Sequence, residues 1–260
     1  MNLPQRRPLF FPYLLADFPD RGKFKEALDL TLQHADFIEI GIPFSDPVAD
    51  GPVIQQASAE VLSRGFRLES LLSLLRQTPR SVPAGLMTYA NPVLAYGLEH
   101  LLQACRECGI QALIVPDVPH EEAGDWRAAA RQSGIAWIPF VSLQTSGERL
   151  RRIAESAEGF VYLLSLTGIT GASIRSTEAI LAKALAIKRH TPVPVALGFG
   201  IKSAQDAVPF HGTIDAFIVG SRIVEALRSG SLRELEQLFA QFRTPQDSPD
   251  NSQRRPPAGC

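Results

Sequence analysis

Two carboxylates stand out as candidates for chemistry. Glu39 interrupts the apolar run DFIEI, and Asp50 lies eleven positions on, at the far end of the loop GIPFSDPVADGP. A carboxylate inside a strand points either into a sheet's interior or out among covering helices. Either way it leaves water, and an unpaired buried charge is costly. The bland reading of Glu39 is a carboxylate satisfied by a nearby backbone or basic partner. The loop that follows carries Pro43, Pro47 and Pro52, which fix φ, and Asp50-Gly51, which favours a tight turn. A loop stiffened in this way holds something in place. The helix expected from Gln55 can return Asp50 towards Glu39, and two carboxylates facing one cavity suit acid/base work. The bland reading of Asp50 is a cap on that helix.

Three glycine-rich segments come later: SLTGITGAS, GFGIKS and GSRIV. Gly198 and Gly200 permit close backbone approach. Gly220 and Ser221 open a helix whose free N–H groups attract an anion. Three such turns after late strands point to a phosphate site. The alternative is that they are only tight strand-to-helix turns.

These residues need a scaffold, and the hydrophobic pattern supplies one. Strand-length apolar runs cover 9–15, 36–40, 84–89, 112–116, 135–141, 160–164, 193–197 and 216–219. Helical periodicity falls over 23–34, 55–63, 68–76, 98–108, 121–133, 147–157, 177–188, 204–209 and 221–242, the last broken near Gly230. The strands are near-continuously apolar, as in a parallel sheet buried on both faces. About eight βα units in some 240 residues fit a (β/α)8 TIM barrel, with its active site at the C-terminal ends of the strands. An open doubly wound sheet of this length more often has fewer strands. The catalytic domain is therefore expected over 1–242, with a disordered tail over 243–260, rich in Pro, Ser, Asp and Gln.

Composition narrows the function. The 26 basic and 27 acidic residues give a net charge of −1, so no global field recruits nucleic acid or an anionic membrane. No apolar run reaches the length of a membrane span. The amino-terminal apolar stretch contains prolines and aspartates and lacks a small-residue cleavage site, so it reads as the first strand and not as a signal peptide. Cys105 and Cys108 form a lone C-x-x-C inside a helix, with no second ligand pair for zinc. A reducing cytoplasm fits this usage, and no metal cluster is evident.

The segment IEIGIPFSDPVADGPVIQQAS resembles the signature of tryptophan synthase alpha chains. LMTYANPV, IVPDVPHEE, GFVYLLSLTGITGA, GFGIKS and VGSRIV resemble later blocks of that family, in the same order, so the likeness spans roughly residues 9 to 242. It implies retro-aldol cleavage of indole-3-glycerol phosphate to indole and glyceraldehyde 3-phosphate. Glu39 and Asp50 match the catalytic acids, and Tyr162 a catalytic-site tyrosine. Thr170 and Gly171 match a loop that closes over substrate. Gly171, Phe199, Gly200, Gly220 and Ser221 match phosphate-binding positions. Tyr13, Leu86, Tyr89 and Leu113 match the neighbourhood of the indole pocket. Family members pair with a beta subunit, in an α2β2 assembly, that receives the indole. Pyridoxal phosphate belongs to that partner, and this chain needs no cofactor of its own. The loops at 43–46 and around Asn91 and Pro92 would face the partner.

The resemblance also assigns the chemistry. Protonating indole C3 makes the bond to the glycerol chain breakable. Glu39 would donate that proton and help remove one from the glycerol hydroxyl, while Asp50 would accept the indole N–H. The chain departs from the family where Ala16-Asp17-Phe18-Pro19 replaces Ala-Gly-Asp-Pro, and Asp17 is expected to take the lost glycine's positive φ. It departs again where Ser142-Leu143-Gln144-Thr145 replaces Ala-Pro-Thr. Competing readings are another phosphate-handling barrel enzyme, a free-standing indole lyase, and a weakly active subunit that mainly activates its partner. A Schiff-base aldolase is disfavoured because no expected strand contains a lysine.

Overall fold

The computed structural model describes residues 1–5, 7–165, 177–198 and 200–243. Nine strand segments follow one another in parallel: β1 (Leu9–Leu15), β2 (Ile38–Gly41), β3 (Ala84–Met87), β4 (Ala112–Ile114), β5 (Ala136–Trp137), β6 (Phe140–Ser142), β7 (Val161–Leu164), β8 (Val195–Gly198) and β9 (Ala216–Val219). Their order is β5-β4-β3-β2-β1-β9-β8-β7-β6, so sequence neighbours pair and β1 pairs with β9. β5 and β6 are two halves of one strand interrupted at Ile138 and Pro139. Across the interruption, Ile138 N donates to Leu113 O at 3.0 Å on one side, and Pro139 O accepts from Tyr162 N at 2.9 Å on the other. The ring is thereby closed into an eight-stranded barrel, and the expected strand over 135–141 is this one.

Alternation along each strand builds the interior in layers. Phe11, Phe37 and Phe160 meet with ring centroids 5.1 to 5.3 Å apart. Gly85 makes room for this cluster, since a Cβ there would lie 2.7 Å from Phe37 Cζ. Each of the three phenylalanines lies two residues before a polar inward side chain, namely Tyr13, Glu39 and Tyr162. The aromatic layer is therefore the floor on which the polar layer stands, one step nearer the strands' C-terminal ends.

Helices cover the outside: α1 (Arg21–His34), α2 (Pro52–Ser63), α3 (Leu68–Arg76), α4 (Ala90–Tyr96), α5 (Leu98–Glu107), α6 (Gly124–Gln132), α7 (Gly147–Glu155), α8 (Thr177–Lys188), α9 (Ala204–Ala207), α10 (Ser221–Arg228) and α11 (Leu232–Arg243). The break expected near Gly230 is the gap between α10 and α11, where Gly230 has φ 75°. α11 packs over β1 through Phe239 and Phe242, the latter stacked on Phe10 at 4.7 Å. The segment around Asn91 and Pro92, expected as a loop, is the first turn of α4. Proline is tolerated there because N–H groups of the first turn have no helical acceptor. The expected tail lies, from residue 244 on, outside the described residues. Among the described residues, no helix is long and apolar enough to cross a membrane.

Candidate active site

A cavity of about 470 Å³ opens at the C-terminal ends of the strands, above the phenylalanine floor. Its wall includes Tyr13, Glu39, Asp50, Tyr162, Gly200, Gly220 and Ser221, all expected site residues from five different strands or their following loops. Thr170, Gly171 and Phe199 lie outside the described residues.

Glu39 is 1% exposed, and neither carboxylate oxygen has a hydrogen-bond partner among the described residues. The bland reading, a carboxylate quietly satisfied by a neighbour, does not describe it. Burial, reinforced by the charge of Asp50, pushes its pKa up to about 8. Asp50 sits at the start of the turn into α2. It does not cap that helix: the N-cap is Gly51, which makes no side-chain cap bond, and Pro52 follows at the first position. Instead the Tyr89 hydroxyl donates to Asp50 Oδ2 at 2.8 Å and accepts the Ala49 N–H at 3.2 Å. Gln55 Nε2 donates to Asp50 O at 2.9 Å, so the loop is pinned from both sides. Burial raises the Asp50 pKa to about 6, against the lowering effect of the Tyr89 bond. Near neutral pH the pair therefore holds one proton donor and one acceptor.

Two tyrosines flank this pair, and each lies over a glycine. A Cβ on Gly41 would fall 2.0 Å from Tyr13 Oη, and one on Gly198 would fall 2.2 Å from Tyr162 Cε1. Gly41 and Gly198 end β2 and β8, the strands beside β1 and β7. The close approach foreseen at Gly198 is thus made by a tyrosine ring of this chain. Burial raises the pKa of both hydroxyls, with Asp50 and Glu39 adding to the effect, so both remain protonated donors.

Leu86 and Leu113 do not line the cavity, a correction to their expected place in the indole pocket. Leu86 is in register with Ile40 and Leu113 with Leu86. Ile40 follows the inward Glu39, so this row turns outward to the helices. Met87, one residue on and paired with Gly41, lines the wall instead, with Ile54 from α2 and Ile218 from β9. Tyr89 is also absent from the wall and reaches the site only through Asp50. Alternation along β2 does not mark Met87 without the register of β3 against it. Nothing in the sequence marked Ile54 or Ile218.

Two of the glycine turns expected to hold phosphate, those at Gly200 and Gly220, lie on the same cavity. Gly200 has φ 95°, a value suited to glycine. The turn after it is fixed by a capping box at α9: Ser203 Oγ accepts from Asp206 N, and Asp206 Oδ2 accepts from Ser203 N at 2.9 Å and Lys202 N at 3.0 Å. Gly220 is the N-cap of α10 and no side chain caps that helix; Gly220 and Ser221 both line the cavity, and a helix start of this kind favours an anion.

The departures are accommodated locally. Asp17 takes φ 55° as expected and lies 3.9 Å from Arg21 Nη1. After β6, Ser142 N donates to Thr145 Oγ1 at 3.0 Å, and Lys183 Nζ donates to Thr145 O at 2.9 Å, tying this loop to α8. Cys105 and Cys108 are buried, Cys108 Sγ donates to Leu72 O, and burial pushes the Cys105 thiol up to about 12. Such thiols are inert packing groups.

A closed parallel barrel with two buried carboxylates and glycine turns on a cavity at its C-terminal mouth defines the class of (β/α)8-barrel enzyme subunits. Comparison with known proteins sharpens this. The family model for the tryptophan synthase alpha chain matches residues 2–251, and the chain belongs to that family. It is 42% identical over 242 residues to the tryptophan synthase alpha chain of Desulfovibrio desulfuricans, covering 91% of this chain and 94% of that one. It is 37% identical to that of Burkholderia multivorans, over 96% and 95% of the two chains. Among solved structures, the alpha subunit from Campylobacter jejuni superposes with a TM-score of 0.81 at 30% identity, covering 91% of this chain and 96% of that chain. The tryptophan synthase a2b2 complex from Pyrococcus furiosus matches with a TM-score of 0.81 at 32% identity, over 90% and 96%.

Proposed function

We propose that this chain cleaves indole-3-glycerol phosphate into indole and glyceraldehyde 3-phosphate, and passes the indole to a beta subunit in an α2β2 assembly. The observation that carries the reaction is the pair Glu39 and Asp50: two buried carboxylates on one cavity, held at different pKa values by different surroundings.

The substrate fits with its phosphate against Gly200, Gly220 and Ser221 and its ring between Tyr13, Met87 and Ile218. Glu39, protonated near neutrality, donates its proton to indole C3. The developing positive charge on the ring nitrogen is met by Asp50, which is ionised and accepts the N–H bond. The resulting Glu39 carboxylate then takes the proton of the glycerol hydroxyl as the carbon–carbon bond breaks. The bonding electrons restore the aromatic indole, and the aldehyde leaves with the phosphate. Tyr162, packed on Gly198 beside Glu39, keeps its hydroxyl on the reacting groups. The step uses only side chains of this chain. Pyridoxal phosphate belongs to the beta subunit's own reaction.

A partner face is supported by exposed apolar side chains on the same end of the barrel. Val48, in the loop before Asp50, is 64% exposed and Leu94, on α4, is 63% exposed. Exposed hydrophobics beside the active-site mouth suit a docking partner. A cytoplasmic location is in keeping with the reduced, buried cysteines.

The test is indole release from indole-3-glycerol phosphate by the purified chain, alone and with a beta subunit. Slow release that rises strongly with the partner supports the reading. Fast release alone indicates a free-standing lyase, and no release from folded protein in either case refutes the assigned reaction.

A further inference from the structure

Among the described residues, those that line the cavity include three acidic ones, Glu39, Asp50 and Glu225, and one basic one, Lys202. Glu225 stands 4.0 Å from Arg222 Nη1, so its charge is partly offset. The ammonium of Lys202 makes no ion pair with any described carboxylate. The backbone of Lys202 is nonetheless fixed, because its N–H is held by Asp206 Oδ2 at 3.0 Å within the capping box of α9. Lys202 follows Gly200 and Ile201 directly and stands on the same rim as Gly220 and Ser221. Backbone amides and a helix start give an anion directional bonds but little net charge. A phosphate dianion entering a wall that carries Asp50 and Glu225 meets a repulsion that the ammonium of Lys202 can oppose.

We infer that Lys202 is a further substrate-binding residue, whose ammonium supplies the counter-charge for the phosphomonoester at the barrel mouth. The inference rests on the proposed reading of the cavity as a phosphate-ester site. It makes Lys202 a determinant of phosphorylated over unphosphorylated substrate. Because the side chain is exposed, the ammonium acts through water and salt screens it. Its contribution belongs to binding, since the phosphate carries the same charge before and after the bond breaks.

The experiment compares the parent chain with Lys202→Gln and Lys202→Arg. With indole-3-glycerol phosphate, Lys202→Gln should raise KM about two- to fivefold, within the range for one exposed ion pair, and leave kcat nearly as it was. Lys202→Arg should restore KM. With the unphosphorylated indole glycerol, parent and Lys202→Gln should have the same KM, which separates a charge effect from damage to the turn. The rise of KM with ionic strength should be shallower in Lys202→Gln than in the parent. Calorimetric binding of inorganic phosphate provides a readout independent of turnover. If the parent cleaves nothing but still binds phosphate more tightly than Lys202→Gln, the assigned reaction fails and the role of Lys202 stands. An unchanged KM for the phosphorylated substrate, an equal loss with the unphosphorylated one, or equal or absent phosphate binding in parent and variant overturns the inference.

Discussion

The Tyr89 hydroxyl donates to Asp50 Oδ2 at 2.8 Å, and this bond joins the loop after β2 to the start of α4. It opposes the burial that raises the Asp50 pKa to about 6. Tyr89→Phe removes the opposing influence and also frees Ala49 N. The Asp50 pKa should then rise, and the acid limb of kcat/KM should move up by about one pH unit. With the limb moved up by about one unit, roughly half of Asp50 is still ionised at pH 7, so turnover there should fall about twofold and the loss should grow towards lower pH. An acid limb that stays in place in this variant would show that Asp50 ionisation does not govern the rate.

Glu39 sets the other limb. With its pKa near 8 it carries a proton at neutral pH and loses it in base. Activity should follow a bell, rising through about 6 and falling through about 8. Glu39→Gln cannot transfer a proton and should abolish cleavage while keeping the fold, and measurable turnover in it removes Glu39 from the proposed role.

The same residue makes a stability prediction with a definite sign. A carboxyl group whose pKa is higher folded than unfolded binds its proton more tightly in the native state. Its stabilising contribution is complete below the unfolded value, 4.5, and is lost as pH rises through about 8. The parent chain should therefore lose stability relative to Glu39→Gln between pH 5 and pH 9, by an amount on the order of 3–5 kcal/mol. Denaturant unfolding of both proteins at the two pH values checks this. A gap that stays constant with pH would mean that the Glu39 carboxylate is not desolvated in the native state.

Why these features were or were not legible follows from the strands themselves. Glu39 announced itself as a charge in an apolar run, and the prolines and Asp-Gly of the next loop marked Asp50. Both are violations of a local pattern, and such violations concentrate at functional sites. The barrel was legible because its period is coarse: alternating apolar runs and helical stretches survive errors of a few residues. The apolar wall of the cavity was not, because β3 and β4 are apolar on both faces. Leu86, Met87 and Leu113 are chemically alike, and only the register with Ile40 and Gly41 tells which of them faces inward. α4 escaped notice because Pro92 looked like a loop residue, although a first-turn proline breaks nothing. Which side chains lie over Gly41 and Gly198 was hidden for another reason. The pairs Tyr13–Gly41 and Tyr162–Gly198 join residues that are distant in sequence, and only neighbouring strands bring them together.

Gly198 tests that pairing directly. Its Cβ position lies within 2.7 Å of three atoms of the Tyr162 ring. Gly198→Ala must push the ring into the cavity, and overpacking of this kind costs about 1–3 kcal/mol. Stability should fall by that amount, and kcat/KM should fall at least about tenfold because the ring then occupies substrate space. In a Tyr162→Ala background, which has its own cavity cost, Gly198→Ala should cost almost nothing further, because the ring it would strike is gone. If the single alanine variant is as stable and active as the parent, the ring does not need the glycine beneath it.

The proposed partner face reaches the site through an aromatic contact. Phe44, in the loop after β2, stacks on Tyr89 with ring centroids 5.2 Å apart, and Tyr89 holds Asp50. Val48 exposes its side chain in the same loop. A beta subunit docked there would press on Phe44 and so restrict Tyr89 and Asp50. Phe44→Leu keeps apolar bulk but loses the flat ring on which Tyr89 leans. Release of indole by the chain alone should change little, because the Tyr89 hydrogen bond is still available. The stimulation produced by an added beta subunit should fall several-fold, while the affinity for that subunit, measured by titration, should change less than the stimulation does. Loss of affinity and stimulation in equal measure would instead make Phe44 a simple docking residue, and full stimulation in Phe44→Leu would remove the aromatic contact from the route between partner and carboxylate.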